Sequence, residues 1–157
     1  MRLSDYIFRT LADWGLRQAF FITGGGAMHL NDALGAEPRI SRLCCLHEQA
    51  CAIAAEAYAR VAGIPAAVSV TSGPGGTNAI TGVAGAWLDS IPMIVISGQI
   101  KTETMISSCP ELKLRQLGDQ ELNITDIVRP ITKYAVAVKK PEEIRYHLER
   151  ACCLAMT

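Results

Sequence analysis

At 157 residues, 50% of them apolar and 19% charged, the chain is the size of one ordinary domain with room for a real core. Lys plus Arg equals Asp plus Glu at 15 each, so there is no basic field to hold a nucleic-acid backbone or an anionic membrane, and neither is expected as a partner. The high apolar share points instead to surface covered by another protein surface, and a homo-oligomer is expected.

The chain opens Met1-Arg2-Leu3-Ser4-Asp5, with charge early and no long apolar run behind it, so neither a signal peptide nor a membrane span is expected. Ser4 suits the cap of a first helix to about Trp14, in which Tyr6, Ile7, Leu11 and Trp14 recur at helical spacing and Gly15 ends the run. A strand Ala19-Phe20-Phe21-Ile22 follows, then the glycine loop Thr23-Gly24-Gly25-Gly26-Ala27. A short helix to Leu34, a turn through Gly35 and Pro38, and a second strand near Leu43-Cys44-Cys45-Leu46 come next. His47 to Ala62 is rich in Ala and Glu and free of Pro and Gly, which predicts a long helix stopped by Gly63 and Pro65.

Ala66 to Thr71 reads as the third strand, and Ser72-Gly73-Pro74-Gly75-Gly76 is a second glycine loop. Thr77 opens a helix through Trp87 whose small residues permit close packing, and Met93 to Ser97 is the fourth strand. Residues 99–121 are polar and irregular, and a loop of that length in a compact domain is functional or mobile. A short helix at Ile124–Val128, a strand at Tyr134–Val138 and a helix from Pro141, still running at Thr157 as if cut, complete the pattern. Short apolar runs alternating with helices predict an α/β fold, a three-layer arrangement of a parallel sheet flanked by helices, with residues 1–157 as one domain.

The six cysteines, at 44, 45, 51, 109, 152 and 153, include no C-x-x-C pair and read as buried, reduced thiols, which suits a cytoplasmic protein. Glycine loops between a strand and a helix suggest anion binding, yet neither matches a nucleotide motif. The first has His29 where a dinucleotide fingerprint needs Gly, and the second lacks a Gly-Lys-Thr ending. His47-Glu48-Gln49-Ala50-Cys51 starts like a zinc-protease helix, but Cys51 stands where the second His belongs, and no metal ligand is assigned. On position alone, Glu48 reads as a first-turn carboxylate favoured by the helix dipole.

The ordered set of segments nonetheless resembles the pyrimidine-binding domain of thiamine diphosphate enzymes of the acetolactate synthase and pyruvate oxidase group. The resemblance rests on Phe21 through Ala27, Leu46-His47-Glu48-Gln49-Ala50, Glu56-Ala57-Tyr58-Ala59-Arg60 and Thr71-Ser72-Gly73-Pro74-Gly75-Gly76-Thr77-Asn78. It continues through Leu88-Asp89-Ser90-Ile91-Pro92, Ser97-Gly98-Gln99, Gln120-Glu121 and Pro130-Ile131-Thr132-Lys133. It implies that Glu48 donates a hydrogen bond to N1′ of the cofactor's aminopyrimidine and so promotes loss of the thiazolium C2 proton before attack on a 2-keto acid. It also implies that Thr23, Gly24, Thr71, Pro74 and Asn78 contact the cofactor, and that Gly26, Gln99 and Gln120 face substrate.

The resemblance further implies thiamine diphosphate with Mg²⁺ held by a separate pyrophosphate-binding domain, because Gly118-Asp119-Gln120 breaks that domain's Gly-Asp-Gly motif. Flavin is compatible with it but not indicated. Three settings fit: part of a longer acetolactate synthase-like chain, which is preferred, the small subunit of a split 2-keto acid decarboxylase, or a noncatalytic dimerisation module. Thr23-Gly24 stands where acetolactate synthases usually carry an aromatic residue and Pro, which leaves the keto acid open. His29 is either a substrate-side group or an ordinary helix histidine.

Overall fold

A computed structural model describes residues 1–157. Helix α1 (Leu3–Asp13) starts one residue before the expected cap, because Asp5 and not Ser4 satisfies its first turn. The Arg2 backbone N–H donates to Asp5 Oδ2 at 3.2 Å and its guanidinium to Oδ1 at 2.7 Å. A carboxylate is the stronger acceptor, and Ser4 lies buried with its hydroxyl unpartnered.

Strand β1 (Gln18–Phe21), helix α2 (Met28–Ala36), β2 (Ser41–Cys44), α3 (Glu48–Ala62), β3 (Ala66–Val70), α4 (Pro74–Asn78), α5 (Ile80–Leu88) and β4 (Met93–Ser97) alternate along the chain. The four strands form a parallel sheet in the order β2-β1-β3-β4, so the expected α/β class holds. Three isolated 3₁₀ turns lie between residues 102 and 112, and α6 (Ile124–Val128) and α7 (Ile144–Met156) complete the element order. No helix is long and apolar enough to cross a membrane.

Successive strand residues point to opposite faces, and β1 uses both. Ala19 joins a core with Phe8, Leu11, Leu34 and Ile40, packed beneath α1 and α2 and including Leu148 and Cys152 of α7. Phe20 joins a second core with Val68, Val70, Cys51, Ala52 and Ala55, beneath α3. Each fully buried Phe, Leu or Ile contributes roughly 1.5–3 kcal/mol. All five residues of β3 are buried, as an inner strand covered on both faces requires.

Several boundaries shift for local reasons. β2 begins at Ser41 and ends at Cys44, short of the expected Leu46, because it pairs residue for residue with the four of β1; Leu46 leaves the sheet fully exposed. Gly35 sits inside α2, which runs on to Ala36. The helix expected from Thr77 starts at Pro74, a residue preset for a first turn, and the C-cap of α4 at Ala79 separates it from α5.

The expected strand Tyr134–Val138 does not form. An isolated strand is not stable without a paired neighbour, and β4 pairs only with β3. Residues 134–138 instead border an apolar cavity of about 950 Å³ that β4 also lines. All six cysteines are free as expected, but burial holds only for Cys51 and Cys152, whereas Cys44 and Cys153 are exposed.

Candidate functional site

β1 is followed by β2 on one side and flanked by β3 on the other. The connections leaving the carboxyl ends of β1 and β3 therefore diverge, and such a switch point leaves a crevice suited to ligands. Both glycine loops open there, and α3 begins at the same edge because it follows β2 directly. Thr71 ties the loops together: Gly26 N–H donates to its Oγ1 at 3.1 Å, and Ser97 Oγ donates to its carbonyl at 3.3 Å.

Glu48 is the first residue of α3. His47 caps the helix, its Nδ1 accepting from Gln49 N–H at 3.1 Å, and Gly63 closes the far end in the left-handed conformation. The cap fixes where Glu48 emerges, and Asn78 at the end of α4 fixes its head: Asn78 Nδ2 donates to Glu48 Oε2 at 3.0 Å. Oε1 points toward the second glycine loop, 3.5 Å from where a Cβ on Gly75 would lie. The expected acid is thus half-buried and directed at the glycine turns.

One turn along α3, Cys51 is fully buried and its thiol is pushed up to about 12, chiefly by burial, with Cys45 and the negative charge of Glu48 adding. A thiol held protonated in this way is packing, not a nucleophile.

The glycines beside Glu48 are packed too closely to carry side chains. A Cβ on Gly24 would come within 2.5 Å of Thr71 Cβ, and one on Gly75 within 2.6 Å of Thr71 Cγ2. A Cβ on Gly26 would meet Ser72 Oγ at 2.5 Å. Glu48, Asn78, Thr71, Gly24, Gly26 and Gly75 therefore form one close-packed cluster at this edge of the sheet. Pro74 lies beside it at the first turn of α4, exposed, and Thr23 is exposed at the start of the first loop.

The two glutamines stand apart from this cluster. Gln99 spends its side chain on its own segment, donating to the Leu122 carbonyl at 3.2 Å and accepting from Ile100 N–H at 2.9 Å. Gln120 has an exposed side chain and a left-handed backbone, φ 58°. Its carbonyl occupies the place that a Cβ on Gly73 would take, and Gly73 itself has φ 57°. The next residue, Glu121, has no role that the sequence assigns. Its carboxylate accepts from Ile106 N–H at 2.8 Å and from Leu117 N–H at 3.4 Å. No signal in the sequence marks it, because its partners are loop amides with no pattern of their own.

His29 is exposed and borders the large cavity. No group of three or more His, Cys, Asp or Glu side chains is arranged to hold a metal ion.

Residues 1–125 match a family described as thiamine pyrophosphate enzyme, N-terminal TPP binding domain. Over 152 residues, 97% of the chain, the sequence is 39% identical to the acetolactate synthase large subunit of Buchnera aphidicola and 38% identical to the acetolactate synthase isozyme 3 large subunit of Escherichia coli. It is also 35% identical to the chloroplastic acetolactate synthase of Arabidopsis thaliana. The chain spans only 25%, 25% and 21% of the length of these three relatives.

Proposed function

The chain belongs to the thiamine pyrophosphate enzyme family as an N-terminal TPP binding domain, and from that premise we propose that residues 1–157 supply the aminopyrimidine half of the cofactor site in an acetolactate synthase-like enzyme acting on a 2-keto acid. The observation that carries the reading is the pairing of Glu48 with Asn78 beside two glycine turns packed so closely on Thr71 that Gly24 and Gly75 tolerate no side chain. Backbone left bare at Gly24 and Gly75 lets a flat ring approach the turns closely, and a carboxyl beside it suits a ring nitrogen.

Thiamine diphosphate bound there would supply a carbon acid for chemistry at the carbonyl of a keto acid. The chain's own residues prepare that event. Glu48 would share a proton with N1′ through Oε1, while Oε2 is kept in place by Asn78. Thr71 and Pro74 shape the ring's surroundings, and Thr23 and Gly24 lie along it. Gly26, Gln99 and Gln120 form the substrate side.

The diphosphate and its Mg²⁺ require oxygen ligands and are assigned to a pyrophosphate-binding domain in a longer chain or in another subunit; flavin is not part of this reading. Leu46, Ile53, Val61 and Leu88 are exposed on or next to α3 and α5, which supports an assembly in which another protein surface covers this side. Free thiols at all six cysteines support a reducing, cytoplasmic setting.

The test is Glu48→Gln in the assembled enzyme, with pyruvate as substrate. Loss of the acid lowers turnover by roughly 10²–10⁴ while Asn78 keeps an oxygen to bind. Turnover near that of the parent enzyme would exclude the assigned role.

A further inference from the structure

We infer that Glu121 is a positioning residue that anchors the 99–122 segment against the second glycine turn and so fixes the substrate-side wall of the site. The inference rests on the cofactor reading above and goes beyond it, because that reading leaves the shape of this segment unexplained.

The segment has little regular structure to hold it. Between β4 and α6 it makes only isolated 3₁₀ turns, at Thr102–Thr104, Ile106–Ser108 and Pro110–Leu112, and such turns do not propagate stability along a chain. What closes it is a carboxylate. Glu121 reaches back 15 residues to the amide of Ile106 and 4 residues to that of Leu117, one oxygen to each. The bond to Ile106, at 2.8 Å, is of the strong charge-assisted kind, and the one to Leu117, at 3.4 Å, is longer and adds to it. Gly118 seats the same corner: a Cβ there would meet Ile100 Cδ1 and, at 2.8 Å, the carbonyl of Thr104.

The anchored corner also carries strain. Gln120, next to Glu121, is a non-glycine residue at φ 58°, a conformation that persists only where the surroundings over-determine it. The return is contact: in that conformation the Gln120 carbonyl packs into the space left by the missing side chain of Gly73, and Gly73 is the N-cap of α4, which bears Pro74 and Asn78. At its other end the segment is clipped by Gln99, whose amide reaches Leu122. Gln99, Ile100 and Met105 then face the same cavity as Gly26 and His29. Release of Glu121 frees Gln120 to relax and lets this wall drift, while Glu48, held by Asn78 and the α3 cap, stays where it is.

The experiment compares Glu121→Ala and Glu121→Gln with the parent in the assembled holoenzyme, using pyruvate as the probe substrate and hydrogen exchange on the same samples. Loss of both carboxylate bonds raises KM by about tenfold with kcat changed by less than about threefold, the split expected for a group that shapes substrate binding. The Ile106 and Leu117 amides exchange about tenfold faster. The Gln variant retains one acceptor oxygen and falls between the two; it carries the measurement if the Ala variant does not assemble. Unchanged exchange at Ile106, or a fall in kcat with KM constant, overturns the inference. If Glu48→Gln retains full turnover, the cofactor reading falls, whereas Ile106 exchange still reports on Glu121 by itself.

Discussion

Replacing Gly82 with Ala tests whether the α3–α5 contact positions the candidate acid. Gly82 is buried on α5, and a Cβ there would sit 2.5 Å from Ala52 Cβ and 2.8 Å from Ile53 N on α3. Carbon atoms in contact need about 3.5–4.0 Å, and the obstruction is partly backbone, so the helices separate by roughly 1 Å. Overpacking of this sort costs about 1–3 kcal/mol, offset by about 1 kcal/mol from replacing Gly with Ala in a helix. A net loss of about 0–2 kcal/mol lowers Tm by up to roughly 8 °C in a chain of this size.

The second consequence is local. Asn78 lies two residues before α5 and holds Glu48 Oε2 at 3.0 Å; an added separation of roughly 1 Å takes that pair out of hydrogen-bond range. Turnover of the assembled enzyme should then fall by about tenfold, the equivalent of one such bond. Thermal unfolding followed by circular dichroism, together with pyruvate turnover, reads both effects. A Gly82→Ala variant with parental Tm and parental turnover would show that α5 has room to spare, and the geometric argument for Asn78 would fail with it.

Two further outcomes follow from the titrating groups. Glu37 is held down to about 2 from an ordinary 4.5, mainly by hydrogen bonds from Arg39. A depressed carboxylate stabilises the fold fully above its unfolded value, so this contribution is lost as pH falls from 4.5 toward about 2. Urea titrations across that window should show the loss in the parent and a flatter profile in Glu37→Gln. Burial pushes Cys51 up to about 12 and Cys152 up to about 11, so iodoacetamide at neutral pH should leave both unmodified in the folded chain and label them only after denaturation. Mass spectrometry of the peptides decides it, and rapid labelling of Cys51 in the native state would contradict its packing against Ala52 and Ala55.

Those parts of the molecule whose signals are local were legible in the sequence. Helix α3 announced itself through an Ala- and Glu-rich run and a glycine stop, and β3 through a continuous apolar run between turn residues. The first glycine loop, the second, and Glu48 were each visible as residues in order, and the structure brings them to one edge of the sheet. What the sequence could not supply was partnership. Tyr134–Val138 has strand periodicity yet stays unpaired although the edge strand β4 has a free side, and periodicity does not encode pairing. The start of α1 went to Asp5 because the competition between Ser4 and Asp5 depends on where Arg2 folds back. Glu121 went unassigned for the same reason, since its partners Ile106 and Leu117 are loop amides with no sequence signature.

The central position of β1 has its own consequence. Ala19 and Phe20, adjacent in the chain, are walls of two different cores. Gaining one residue just ahead of them would shift the strand by one step, placing Gln18 beneath α1 and leaving the methyl group of Ala19 to fill the space opposite Tyr58, which now packs edge-on against Phe20. Two interiors would be ruined by a single insertion. Length variation among proteins of this kind should accordingly collect in the surface excursion after β4 and spare the sheet's inner strands.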